Sequence, residues 1–213
     1  MRCMGRGLRR LALVLHCLCG GLERRLLRWR YPAAASLAHR IFASPALSPD
    51  GATVYASTFL ADDTSLPAAL YAFRRDPAGP APDADRLRWK LDLVFDGRPV
   101  WTTTLAVGTD GTVYVGGFYL DGSTHVPVLV AVRDTPGGPV FAWAPAFRPL
   151  RDGAQLVLGV ALRETERQTR RLYVTTANLG TPLFNGREEG SLHAVAPADG
   201  AVLASYDPSD DVP

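Results

Sequence analysis

The sequence predicts an all-β protein built from about three copies of one four-stranded antiparallel unit, and three observations lead there. Tyr55, Tyr114 and Tyr173 recur with a 59-residue period, each inside a short β-type run such as Thr53-Val54-Tyr55-Ala56-Ser57 or Thr112-Val113-Tyr114-Val115-Gly116. The first two runs are entered through Asp50-Gly51 and Asp110-Gly111, a dipeptide that supplies the positive φ a tight turn needs. A second apolar marker follows each tyrosine, centred on Ala72, Ala131 and Ala194. Repeats of this kind mean solenoids, propellers or arrays, and insertions between strands lengthen a unit without altering its plan.

Turn residues divide each unit into four short strands. The first unit is expected to use 46–48, 53–59, 69–74 and 87–91; the second 103–107, 112–118, 126–133 and 140–143; the third 156–162, 171–177, 191–196 and 201–206. The near-continuous apolar run Val128-Leu129-Val130-Ala131-Val132 predicts a strand buried on both faces, as in sheets stacked around an axis. The expected architecture is therefore a partial β-propeller, with blades over about 44–95, 101–148 and 155–207 inside a region spanning 41–213. Closed propellers have four to eight blades. Three blades would leave an apolar face uncovered at each end, a cost of about 10 kcal/mol for a face of roughly 400 Å². The expectation is a homo-oligomer, further blades C-terminal to this chain, or an open stack covered by partners.

Residues 1–40 form a basic leader. Nine arginines against Glu23 give it a charge of +8, while the remaining residues sum to −6. A positive stretch, the apolar run 11–18 and the small residues 33–38 follow the layout of an export signal; the Arg-rich, acid-poor composition also suits a transit peptide or a plain extension. Eight apolar residues are too few to span a bilayer. The acidic balance of the repeat region argues against nucleic acid as a partner, because phosphate neutralisation needs a clustered basic surface. Cys3, Cys17 and Cys19 all lie in the leader, so the repeat region has no thiol chemistry.

Asp110-Gly111-Thr112-Val113-Tyr114-Val115-Gly116-Gly117 closely resembles one element of the PQQ-like, quinoprotein dehydrogenase-like, β-propeller repeat, and 50–57 matches the same element. The stretch 190–204 follows the second half of that repeat through Ala194 and Gly200, with Asp199 where Thr is usual and Ala204 where Trp is usual. Trp89 and Trp143 stand near the blade-closing tryptophan of the repeat and are read as packing wedges. WD40-type propellers share such Gly- and Tyr-rich hairpins. The resemblance covers about 44–206 and implies, for its enzymatic members, PQQ with calcium, an acidic base and often adjacent cysteines. No residue here matches that base, and there is no adjacent cysteine pair.

Other chemistry is sparse. Asp62-Asp63 and 207–211 are acidic clusters without calcium-loop spacing. His39, His125 and His193 are scattered, His16-Cys17-x-Cys19 lacks a second ligand pair, and Gly20-Gly21, Gly116-Gly117 and Gly137-Gly138 read as turn or flexibility signals rather than nucleotide loops. No catalytic, metal or cofactor residue is assigned. The function expected is a non-catalytic propeller scaffold that binds protein partners through the loops 60–68, 119–125 and 178–189. The alternatives are a truncated or divergent PQQ-dependent dehydrogenase and an extracytoplasmic glycan- or polymer-binding propeller. Export is the expected destination, with an organelle as the alternative.

Overall fold

The computed structural model describes residues 39–41, 43–60, 67–75, 86–143, 155–165, 168–178 and 190–206. Three open four-stranded antiparallel sheets carry the chain, and in each the strand order follows the sequence. Sheet 1 comprises β2 (Ala46–Leu47), β3 (Thr53–Ser57), β5 (Ala69–Arg74) and β6 (Leu87–Asp92). Sheet 2 comprises β9 (Trp101–Val107), β10 (Val113–Asp121), β11 (Thr124–Thr135) and β12 (Gly138–Trp143). Sheet 3 comprises β13 (Gln155–Thr165), β14 (Gln168–Asn178), β15 (Gly190–Val195) and β16 (Val202–Tyr206). Two small ribbons complete the list. One pairs β1 (His39–Arg40) with β4 (Phe59–Leu60), so the last two residues of the expected leader belong to a sheet; the other pairs β7 (Val94–Phe95) with β8 (Arg98–Pro99).

The turns form where the sequence supplies them. At Asp50-Gly51 the glycine takes φ +69, its N–H donates to Ser48 O, and the Asp50 carboxylate accepts the Ala52 N–H at 3.0 Å. Asp110-Gly111 repeats this geometry, with φ +81 and a 3.0 Å bond from Thr112 N to Asp110 Oδ1. The Ser48 hydroxyl and the Ala52 N–H hold the Asp50 carboxyl below its ordinary range. Asp199-Gly200 between β15 and β16 shares the positive φ and the 3.0 Å bond from Ala201 N to the carboxylate, but its glycine N–H donates four residues back, to Ala196 O. Between β7 and β8, Asp96 and Gly97 both have positive φ, as a two-residue hairpin whose twist matches its strands requires.

The sheets pack in series through two cores. Tyr55, Leu70, Ala72 and Trp89 of sheet 1 meet Val113 and Val130 of sheet 2. On the opposite face of sheet 2, Tyr114, Leu129, Ala131 and Trp143 meet Val157, Leu172, Val174 and Val195 of sheet 3. Residues 128–132 are all buried, because successive side chains of one strand enter the two cores in turn. Each of the larger side chains contributes about 1.5–3 kcal/mol relative to an exposed position.

Three sequence expectations need correction. Gly116 and Gly117 lie inside β10, as the expected strand 112–118 has them and not as a turn signal would, at a register shift against β9 where a Cβ on Gly117 would stand 1.9 Å from Trp101 O. Glycine is required there by close approach of two backbones. Residues 119–125 are not an open loop: Asp121 pairs with Thr124 across a hairpin whose turn is Gly122-Ser123, so β10 and β11 run on to its tip. The expectation of a bare face at both ends fails for sheet 1, where Val54, Ala56, Tyr71 and Phe73, on the side away from sheet 2, are all buried.

Candidate functional site at the sheet junctions

The densest polar cluster among the described residues lies at the first junction and centres on Asp134. This residue sits near the end of β11, and its side chain is only 8% exposed. Three groups of sheet 1 converge on it. Tyr55 Oη donates to Oδ2 at 3.0 Å, Arg88 Nη1 donates to the same oxygen at 2.7 Å, and Trp89 Nε1 donates to Oδ1 at 2.8 Å. Arg88 also reaches the Thr53 hydroxyl at 2.7 Å. The rings of Tyr55 and Trp89 pack at 5.9 Å between centroids, so the two markers form one wedge whose polar tips share one carboxylate. Burial, then the bond to Asp134 and its negative charge, push the Tyr55 phenol well above its ordinary range.

The second junction has the same plan with another acceptor. Trp143 Nε1 donates at 3.0 Å to the main-chain carbonyl of Pro197. Pro197 stands three residues beyond Ala194, as Asp134 stands three beyond Ala131, so the two acceptors occupy equivalent positions. Gly200 lies against the indole: its φ is +76, and a Cβ there would come within 2.7 Å of Trp143 Cζ3. Tyr114 meets the Thr169 hydroxyl of sheet 3, and Thr169 donates to Glu164 Oε1 at 3.0 Å. Burial, then the charge of Asp110, push the Tyr114 phenol up to about 12.

On the β9 side, neighbouring threonines serve both junctions. Thr102 Oγ1 donates to Thr58 O at 2.8 Å, toward sheet 1, while Thr103 Oγ1 donates to Val157 O of sheet 3. Opposite pointing of successive strand residues is what lets one strand hold two neighbours.

In sheet 3 the pattern stops. Tyr173, paired with Ala161 and Ala194, is half-buried, and the tryptophan position is Ala204, paired with Ala194. Its most buried polar side chain is His193, 1% exposed, with Nε2 at 3.2 Å from Thr176 Oγ1 and Nδ1 at 2.8 Å from Ser205 Oγ. Both hydroxyls can donate or accept, so they complement either neutral tautomer. Strand register creates this set, since His193 pairs with Ser205 and with Val174; sequence separations of 12 and 17 give no local signal.

The structure thus brings Tyr55, Ala72 and Trp89 together at one junction and Tyr114, Ala131 and Trp143 at the next, while Asp50, Gly51, Asp110, Gly111 and Gly200 shape the turns. What sequence reasoning missed is Asp134. Asp62-Asp63, 207–211 and His16-Cys17-x-Cys19 lie outside the described residues. Among the described residues no group of three or more His, Cys, Asp or Glu could hold a metal ion, and no helix is long and apolar enough to cross a membrane. No protein-family model, curated protein or solved structure matches this chain.

Proposed function

We propose that this chain is a non-catalytic scaffold of the PQQ-like β-propeller kind, or part of one, whose rigid sheet stack presents surfaces to protein partners. The observation that carries this reading is the use of Asp134. Among the described residues its carboxylate is the best-buried acid, and its three donors all come from the neighbouring sheet. A carboxylate saturated in this way joins two sheets and has little capacity left for proton transfer. Rigid repeat stacks place binding on loops and free faces, where side chains can vary without disturbing the junctions.

The resemblance supplies the competing reading, a quinoprotein dehydrogenase. Reconstitution of the purified full chain with calcium and PQQ separates the two. The scaffold reading expects no stoichiometric retention of quinone absorbance after gel filtration and no dye-linked oxidation of primary alcohols. Retained quinone with alcohol oxidation would overturn it.

A further inference from the structure

The three sheets present one equivalent face, and its fate differs. In sheets 1 and 2 the face bearing the tyrosine, leucine and alanine markers is covered by the next sheet. In sheet 3 the corresponding face carries exposed apolar residues: Leu192 and its cross-strand partner Tyr206 are 40% and 52% exposed, and Ala161 and Ala204 on the same face are exposed as well. Ala161 pairs with Tyr173, Tyr173 with Ala194, and Ala194 with Ala204, so apolar residues of all four strands share this face beside the Leu192–Tyr206 pair. Resting on the scaffold reading, we propose that this face pairs with the same face of a second copy of this chain about a two-fold axis, giving a dimer that stops at two.

Three observations choose a second copy in this arrangement. Both faces of sheet 1 are already buried, Phe73 and Leu70 completely, so a copy cannot add head to tail at that end. With one such face among the described sheets, identical chains can cover it only through a closed isologous contact. A further sheet of the repeated kind is disfavoured because Ala204 replaces the indole that, at both existing junctions, donates to the incoming sheet. The four strands at their observed lengths give a footprint of about 500 Å² per copy, hence about 1,000 Å² in total, the lower bound for a specific interface. Arg163 and Arg171 pair at one end of the face. Their repulsion favours the two-fold that runs the strands of the copies in opposite directions, which sets the arginines at opposite ends.

Sedimentation velocity of the full chain across a dilution series tests this directly. The expected result is a shift from one chain to two with rising concentration, ending at two. Leu192→Asp should weaken the dimer by at least about tenfold, the scale of a charge buried in an apolar contact. Leu47→Asp, at an exposed leucine of sheet 1, should leave it unchanged. Circular dichroism on each variant shows that the fold is retained. A single-chain mass at every concentration, growth beyond two chains, or a dimer indifferent to Leu192→Asp would overturn the proposal. A folded monomer that binds no quinone would do so while leaving the scaffold reading intact.

Discussion

Between sheets 1 and 2 the tryptophan indole donates to a side-chain carboxylate that also holds a tyrosine and an arginine; between sheets 2 and 3 the equivalent indole donates to a main-chain carbonyl. The position is the same, three residues after the marker alanine, and only the chemistry of the acceptor differs. A carbonyl is present whatever the side chain, so the second junction tolerates substitution at its acceptor and constrains instead the residue packed against the indole, Gly200. The first junction concentrates its polar bonding in one residue and is correspondingly easy to break.

The largest effect should follow from Asp134→Ala, which strands the Tyr55 hydroxyl and the Trp89 N–H in a buried joint and leaves Arg88 with the Thr53 hydroxyl but without its carboxylate. Loss of about 3 kcal/mol is expected from urea unfolding, because each orphaned buried donor costs about 1–3 kcal/mol and the guanidinium, one-third exposed, recovers solvent. Gly200→Ala comes next. Its positive φ and its approach to Trp143 combine to a loss of about 2 kcal/mol on the same assay.

The two junction tyrosines predict an alkaline limb. The folded chain holds the Tyr114 proton more tightly than the unfolded chain does, so its contribution is complete below about pH 10, the ordinary phenol value, and is lost as pH rises toward about 12. Tyr55 acts in the same direction. Urea midpoints measured from pH 8 to 11.5 should fall above 10, and the fall should be shallower in Tyr114→Phe. The smallest effect is the control that sharpens the contrast: Pro197→Ala keeps the carbonyl and should change stability by under about 1 kcal/mol. A loss matching that of Asp134→Ala would mean that the equivalence of the two acceptors is only positional.

Much of this fold is legible in the residues, for identifiable reasons. The tyrosine period and the Asp-Gly turns are local signals, and the strands they imply form within a few residues of the expected bounds. Trp89 and Trp143 stand out as large side chains at equivalent strand positions. Asp134 does not, because its partners lie 79, 46 and 45 residues away and nothing near it in the chain marks a carboxylate with three donors. Gly116-Gly117 misleads because glycine serves two purposes, positive φ in a turn and close approach within a sheet, and only the packed structure distinguishes them. Residues 119–125 mislead by polarity, although Gly122-Ser123, with glycine first, is itself a two-residue hairpin signal that outweighs it.

The most direct test of the account is a double-mutant cycle between Trp89→Phe and Asp134→Ala, read by urea unfolding. A shared buried bond across the first junction predicts a coupling of about 1–2 kcal/mol between the two substitutions. Additive effects, with coupling near zero, would contradict the claim that this carboxylate joins the sheets.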